Sequence, residues 1–86
     1  MKNNLHFVYI LQSKVQTNEF YTGYTIEIGE RLKEHNLGLS KHTAKFKPWK
    51  IISYCVFQEK KKAIEFEKYL KSGSGRAFTE KHLISK

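Results

Sequence analysis

Alternating apolar and polar positions mark three strands in this chain, and a 3.6-residue period marks three helices. Residues 6–11, HFVYIL, are aromatic and β-branched with nothing that breaks a strand. Phe7, Tyr9 and Leu11 share one face, and His6, Val8 and Ile10 the other. A polar connection over 12–18 leads into a second strand at 19–25, a spacing that reads as an antiparallel hairpin. Tyr9 and Tyr21 are then expected near each other on one face. Gly23 lies on Tyr21's face without a side chain, which marks a close approach by a ligand or another backbone.

A helix follows, with Thr25 as its N-cap and Glu27 in its first turn, running to about Asn36. Gly38 supplies the left-handed stop. At 100° per residue, Ile28, Leu32 and His35 fall within about 60° of one another, with Arg31 at the edge of that stripe. Residues 38–49 read as a basic, irregular loop closed by Pro48, the only proline. Residues 50–57, KIISYCVF, carry bulky groups on both faces, as a central or helix-covered strand does. The second helix spans 59–71, with Ala63, Phe66 and Leu70 as its apolar stripe and Glu65 facing outward. Ser72-Gly73-Ser74-Gly75 ends it, and a short third helix over 76–84 covers one side of the sheet. The order β-β-α-β-α-α places the chain in the α+β class.

Eighty-six residues make one domain, 1–86, burying roughly 60–65% of the unfolded surface. Twelve aromatic rings supply the bulk that so short a core needs. No apolar run reaches the ~18 residues of a membrane span. The start, Met1-Lys2-Asn3-Asn4, has no signal-peptide apolar region, which points to a cytoplasmic protein. The single cysteine, Cys55, excludes an internal disulfide and reads as a small buried hydrophobe. Sixteen Lys and Arg against eight acids give a net charge of +8. Seven lysines (41, 45, 47, 50, 60, 61 and 62) lie between 41 and 62, against Glu59 alone. Such a balance suits a polyanion partner as well as a plainly solvated surface. The chain has no aspartate, so any metal-binding or acid–base carboxylate is a glutamate.

Each candidate residue has a plain reading. Tyr9 and Tyr21 can be ordinary sheet aromatics. Arg31 can pair with Glu27 at i, i+4, worth a few tenths of a kcal/mol. A lone histidine on an apolar stripe is more often a satisfied core group than a ligand. Glu67 sits inside the second helix's apolar stripe, where a carboxylate is costly unless paired or bound to a cation. Arg31 or His35 can be that partner. Together, however, these residues fit phosphodiester hydrolysis: a phenol whose pKa a neighbouring cation lowers, a guanidinium fork for phosphate, and a carboxylate for a Mg²⁺ that keeps most of its waters.

Phe7-Val8-Tyr9 and Tyr21-Thr22-Gly23, followed by Arg31, His35 and Glu67 in order, resemble the GIY-YIG nuclease superfamily. The likeness extends over roughly residues 6–84 and is greatest to small members that are little more than the catalytic module, including the segment KYLKSGSGRAF. The resemblance implies a three-stranded antiparallel sheet flanked by helices and single-metal hydrolysis of DNA. It implies that Tyr9 or Tyr21 positions or deprotonates the attacking water, that Arg31 holds the scissile phosphate, that His35 assists proton transfer or holds a tyrosine, and that Glu67 is the sole protein ligand to one Mg²⁺ or Mn²⁺. Phe7 replaces the first signature glycine, and Tyr24 stands where several relatives place a lysine. A polar residue that supports the metal site in some relatives has only Ser72 and Ser74 as nearby counterparts.

The expected activity is a metal-dependent DNA endonuclease, with branched or damaged DNA as substrate and RNA not excluded. Gly23, Lys41, His42, Lys45 and Lys47 are the expected substrate contacts, with self-association or a protein partner as further sources of specificity. The alternative is a non-catalytic nucleic-acid binder using the same lysines. A protein-interaction module is the third reading, which the lysine excess disfavours.

Overall fold

The computed structural model describes residues 4–84. Met1–Lys2–Asn3, part of the segment behind the expectation of no signal peptide, lies outside the described residues. The elements in order are β1 (His6–Ser13), β2 (Phe20–Thr25), α1 (Ile28–Asn36), α2 (Lys41–Ala44), β3 (Trp49–Phe57), α3 (Lys60–Leu70) and α4 (Gly73–His82). The strands form one antiparallel sheet in the order β2-β1-β3. The most apolar strand, β1, is therefore central, and β3 is an edge rather than the middle of the sheet.

The sheet separates two cores. Val8 and Ile10 pack with Ala63 and Leu70 beneath α3 and α4, joined by Phe57, Phe66 and Phe78. Tyr9, Leu11 and Trp49 form the other core with Ile28, Leu32 and Phe46. A register shift between Ile10 and Leu11 inserts Ile52 as an extra residue in β3, since Ile10 pairs with Ser53 and Leu11 with Ile51. Strict alternation would put Trp49, Ile51 and Ser53 on Ile10's face. The bulge turns Trp49 and Ile51 to Leu11's face and gives Ile52 to the opposite core. β3 is thus helix-covered though not central: Trp49 and Ile51 pack in the core under α1, and Ile52 and Phe57 in the core under α3.

Helix boundaries differ from expectation where capping decides them. Thr25 is not the N-cap of α1: its hydroxyl accepts from the Glu27 N–H at 3.1 Å, and Glu27 itself is the N-cap residue. The end of α1 has the expected left-handed glycine, Gly38 at φ 78°. Leu39 N–H donates to Glu34 C=O at 3.1 Å and Gly38 N–H to His35 C=O at 3.2 Å, the doubled closure of a Schellman motif. The basic loop is not wholly irregular, since α2 forms one turn within it. Ser72–Gly75 not only ends α3 but also begins the next helix. The Ser72 hydroxyl accepts from Gly75 N–H at 3.1 Å and caps α4, which starts three residues earlier than its apolar period indicates.

Side chains anchor the loop that carries α2. The Asn36 amide accepts from Trp49 N–H at 2.6 Å and donates to Trp49 C=O at 3.2 Å, tying the end of α1 to the start of β3. Ser13, fully buried, donates to Phe46 C=O at 2.6 Å. Asn36→Ala strips both partners from the Trp49 backbone and is expected to cost about 2 kcal/mol. Lys33→Ala, which removes only an exposed pair with Glu30, should stay within about 0.5 kcal/mol. Urea unfolding followed by Trp49 fluorescence measures both.

Candidate active site

β1 and β2 pair so that Tyr9 lies opposite Gly23 and Leu11 opposite Tyr21. Both phenols therefore rise from the same face, one position out of step. A Cβ at Gly23 would lie 2.6 Å from the Tyr9 ring carbon Cζ and 2.9 Å from Tyr21 Cε2, and would strike the Tyr9 hydroxyl. This corrects the expectation of an open floor for substrate. The close approach at Gly23 is made by the protein's own Tyr9 phenol.

Helix α1 then lays His35 over the two rings. The three ring centroids form a triangle, with Tyr9–Tyr21 at 6.3 Å, Tyr9–His35 at 6.0 Å and Tyr21–His35 at 5.0 Å. His35 is fully buried and has a partner on each ring nitrogen. Its Nε2 meets the Tyr9 hydroxyl at 2.9 Å, and its Nδ1 meets Thr43 Oγ1 at 2.6 Å. Thr43, also fully buried, is the inward residue of α2, and its carbonyl accepts from the Trp49 indole N–H at 2.8 Å.

Arg31, one turn before His35, completes the cluster. Its Nη1 holds Glu34 at 2.7 Å, not Glu27. Glu34 above all, and then Tyr9 and Tyr21, keep the guanidinium more firmly protonated than usual. The Tyr9 phenol is pushed up to about 12: burial outweighs the opposing pull of Arg31, and Tyr21 and Glu67 add to the rise. His35 is shifted down, first by burial and then by the charge of Arg31, against a weaker opposing effect of Glu34. Both members of the Tyr9–His35 pair are thus held neutral near pH 7.

Glu67 approaches from α3, on the sheet's opposite face, near enough for its charge to bear on the Tyr9 phenol. Its side chain is only 19% exposed and pairs with Lys71 at 3.1 Å, so Lys71 rather than Arg31 or His35 compensates the inward carboxylate. Lys41, His42, Lys45 and Lys47 are all exposed and flank the inward-facing Thr43 on the outside of the α2 segment. Lys45 Nζ stands 5.4 Å from the Phe46 ring centroid, and Lys47 Nζ lies against Gly38 at the end of α1. Ser72 and Ser74 are exposed, and Ser72 Oγ bonds Tyr69 C=O at 2.6 Å in its capping role. Thr43 went unnoticed in the sequence. Its only signal is a hydroxyl eight residues after a histidine that needs a second partner.

The GIY-YIG catalytic domain profile matches residues 5–82. The chain belongs to the GIY-YIG family. It is 35% identical over 86 residues to the UPF0213 protein lwe0147 of Listeria welshimeri, covering 99% of this chain and 92% of that one. It is 36% identical over 72 residues to the UPF0213 protein YazA of Bacillus subtilis, covering 83% and 71%. Among solved structures it is similar to the solution NMR structure of the UPF0213 protein BH0048 from Bacillus halodurans, with a TM-score of 0.53 and 32% identity over 88% of this chain and 80% of that one. This agrees with the sheet-and-helix order found here. The GIY-YIG family is an endonuclease superfamily whose members generally use divalent metal ions, so the fold is that of a nuclease-type domain. No helix among the described residues is long and apolar enough to cross a membrane.

A buried neutral histidine links stability to pH. Its folded-state pKa lies below the ordinary ~6.5, so the unfolded chain binds the extra proton first as pH falls. The His35 contribution is therefore intact above about pH 6.5 and is lost as pH drops through the lowered folded value. Thermal melts should show wild-type stability falling from pH 7.5 to pH 5, with His35→Gln less stable throughout and flatter over that interval. An unchanged slope in the variant would assign the acid sensitivity elsewhere.

Proposed function

We propose that this chain is a metal-dependent endonuclease that hydrolyses DNA phosphodiesters, and that Tyr21, rather than Tyr9, is the phenol that meets the attacking water. The observation carrying this reading is the joining of Tyr9, Tyr21, Arg31 and His35 in one cluster in which the two tyrosines are unequal. Tyr9 is 2% exposed and tied to His35, whereas Tyr21 is only half-buried. Tyr9 and His35 then act as the support that fixes Tyr21's ring and the floor beneath it. Arg31 exchanges Glu34 for a non-bridging phosphate oxygen and stabilises the charge that builds as water adds to phosphorus and the P–O bond to the leaving sugar breaks. The water's proton passes towards the Tyr21 hydroxyl and on to solvent.

Glu67 is the residue that would hold the cation. Among the described residues there is no cluster of three His, Cys, Asp or Glu side chains. A single, partly exposed carboxylate nevertheless fits Mg²⁺, which takes one or two carboxylates and keeps several waters. When bound, a divalent ion supplies Lewis-acid polarisation of the phosphate and support for the leaving oxygen. Lys71 must release Glu67 for this to happen. That pair is also what favours a second reading, in which Glu67 is a structural carboxylate and the domain binds nucleic acid without cutting it.

The exposed lysines of the α2 segment, with a net charge of +8, would draw the domain to DNA or RNA, and a self-associated form or protein partner would add specificity. A cytoplasmic setting and a role on branched or repair intermediates suit this reading.

Purified protein incubated with supercoiled plasmid should give nicked product with Mg²⁺ or Mn²⁺ and none with EDTA. Arg31→Ala should lower the rate about 10²–10³-fold, Tyr21→Phe about 10²-fold or more, and Glu67→Ala to background, each with the fold intact by circular dichroism. Binding without cutting under every metal would establish the second reading.

A further inference from the structure

Tyr9, His35 and Thr43 are joined by hydrogen bonds whose direction follows from counting donors and acceptors. Tyr9 is 2% exposed and the other two are fully buried, so their partners are protein groups. The Arg31 guanidinium has hydrogens only to give, and it gives one to the Tyr9 oxygen. If His35 Nε2 carried a hydrogen as well, that oxygen would accept twice. Its own hydrogen would then lose Nε2, the acceptor that Tyr9 has among the described residues. With Nε2 bare, Tyr9 donates to it across 2.9 Å. The imidazole hydrogen then sits on Nδ1 and goes to Thr43 Oγ1 at 2.6 Å. Thr43 can receive it because its own hydrogen has an outlet in the carbonyl of Ser40, the N-cap of α2, at 3.5 Å. Threonine readily makes such a bond three residues back along a helical turn. Every hydrogen in this order has an acceptor, whereas the reverse order strands that of Tyr9.

Resting on the nuclease reading above, we infer that Thr43 is a positioning residue: its hydroxyl fixes the Nδ1–H tautomer of His35, turns the Tyr9 hydrogen onto Nε2, and so keeps a Tyr9 lone pair facing Arg31. The effect passes through two residues to the guanidinium that holds the phosphate. In the other tautomer the Tyr9 hydrogen turns outward, and two hydrogens meet between Tyr9 and Arg31. The guanidinium then keeps Glu34, itself 45% exposed, and loses its inner support. The α2 turn thereby contributes a neutral hydroxyl to the site as well as lysines to the surface.

Long-range ¹H–¹⁵N correlation spectra of the whole chain at pH 7.5 read the tautomer, with the His35 signals identified by their loss in His35→Gln. The wild type should show the Nδ1–H form. Thr43→Val, which removes the hydroxyl, should shift His35 to the Nε2–H form, and Thr43→Ser should restore Nδ1–H. In plasmid nicking, Thr43→Val should lower kcat about 10–100-fold with KM unchanged, the range lost when the partner orienting a histidine is removed. Thr43→Ser should recover most of that rate. A hydroxyl that served packing alone would change stability and leave the tautomer as it is. An Nε2–H form in the wild type, or an Nδ1–H form that persists in Thr43→Val, overturns the assignment and leaves the nuclease reading standing. So does a tautomer that switches in Thr43→Val with kcat unchanged. If Thr43→Val fails to fold, the wild-type form decides: Nδ1–H supports the assignment and Nε2–H overturns it. A wild type with the expected tautomer that cuts no DNA under any metal overturns the nuclease reading, and with it the part given to Thr43 in seating Arg31 for phosphate.

Discussion

A buried imidazole must satisfy both ring nitrogens, and that requirement shapes the half of this molecule that holds the candidate site. Leaving one of them unpaired would cost about 1–3 kcal/mol, a large part of what so small a chain can spare. Tyr9 meets one nitrogen and Thr43 the other. To deliver Thr43, the chain folds a single helical turn inside a loop otherwise rich in lysine, and the Trp49 indole bonds its carbonyl. To deliver Tyr9, β2 gives up a side chain at Gly23 so that the phenol can lie flat across it. Helix α1, the α2 turn, the start of β3 and the hairpin are thereby positioned by one hydrogen-bonded chain of four residues, Tyr9, His35, Thr43 and Trp49.

The same chain decides how the two phenols divide their roles. Two effects act on Tyr9 in opposite directions: burial disfavours the phenolate, and the Arg31 guanidinium favours it. Burial wins, and the phenol ends near 12. A nearby arginine is therefore not enough to make a base of a tyrosine when the ring is sealed under a helix. His35, neutral for the same reason, can accept from or donate to Tyr9 without placing a net charge in the core. Tyr21, across the triangle, keeps the geometry that this pair imposes while remaining only half-buried.

What could be read from the chain was what depends on local period. The face shared by Tyr9 and Tyr21, the inward side of His35, the stop at Gly38 and the stripe of Ala63, Phe66 and Leu70 all follow from alternation or from 3.6 residues per turn. What could not be read depends on contacts between distant segments. Thr43 looks like any polar residue in a basic loop until His35 arrives beside it. The Ile52 bulge has no local signature, because isoleucine suits either face, yet it moves Trp49 from one core to the other. Gly23 did signal a close approach, but not which atoms make it. Thr25 and Ser72 are both suitable caps by type. Only Ser72 caps a helix, because the chain after Thr25 stays non-helical for two further residues. Arg31 had acidic neighbours at both i−4 and i+3, and its partner is Glu34, on the last turn of α1.

That choice of partner bears on how a polyanion reaches a site whose own helix is acidic. Glu27, Glu30 and Glu34 sit on or beside α1, while the lysines cluster elsewhere. At physiological salt a charge is screened over about 8 Å, so under the proposed function the exposed lysines would act mainly by steering the encounter. The holding must be local, by exchange. Glu34 keeps the guanidinium directed and dry enough to matter, yet it is itself 45% exposed and free to swing into solvent. A phosphate offers Arg31 the two-pronged geometry that a surface carboxylate on a flexible stem holds only loosely. The released Glu34 regains its hydration, so little is lost in the swap. Under the proposed function, an acidic helix around Arg31 would serve as a guard: anions that bind weakly would not displace Glu34, and a phosphodiester already anchored elsewhere on the domain would.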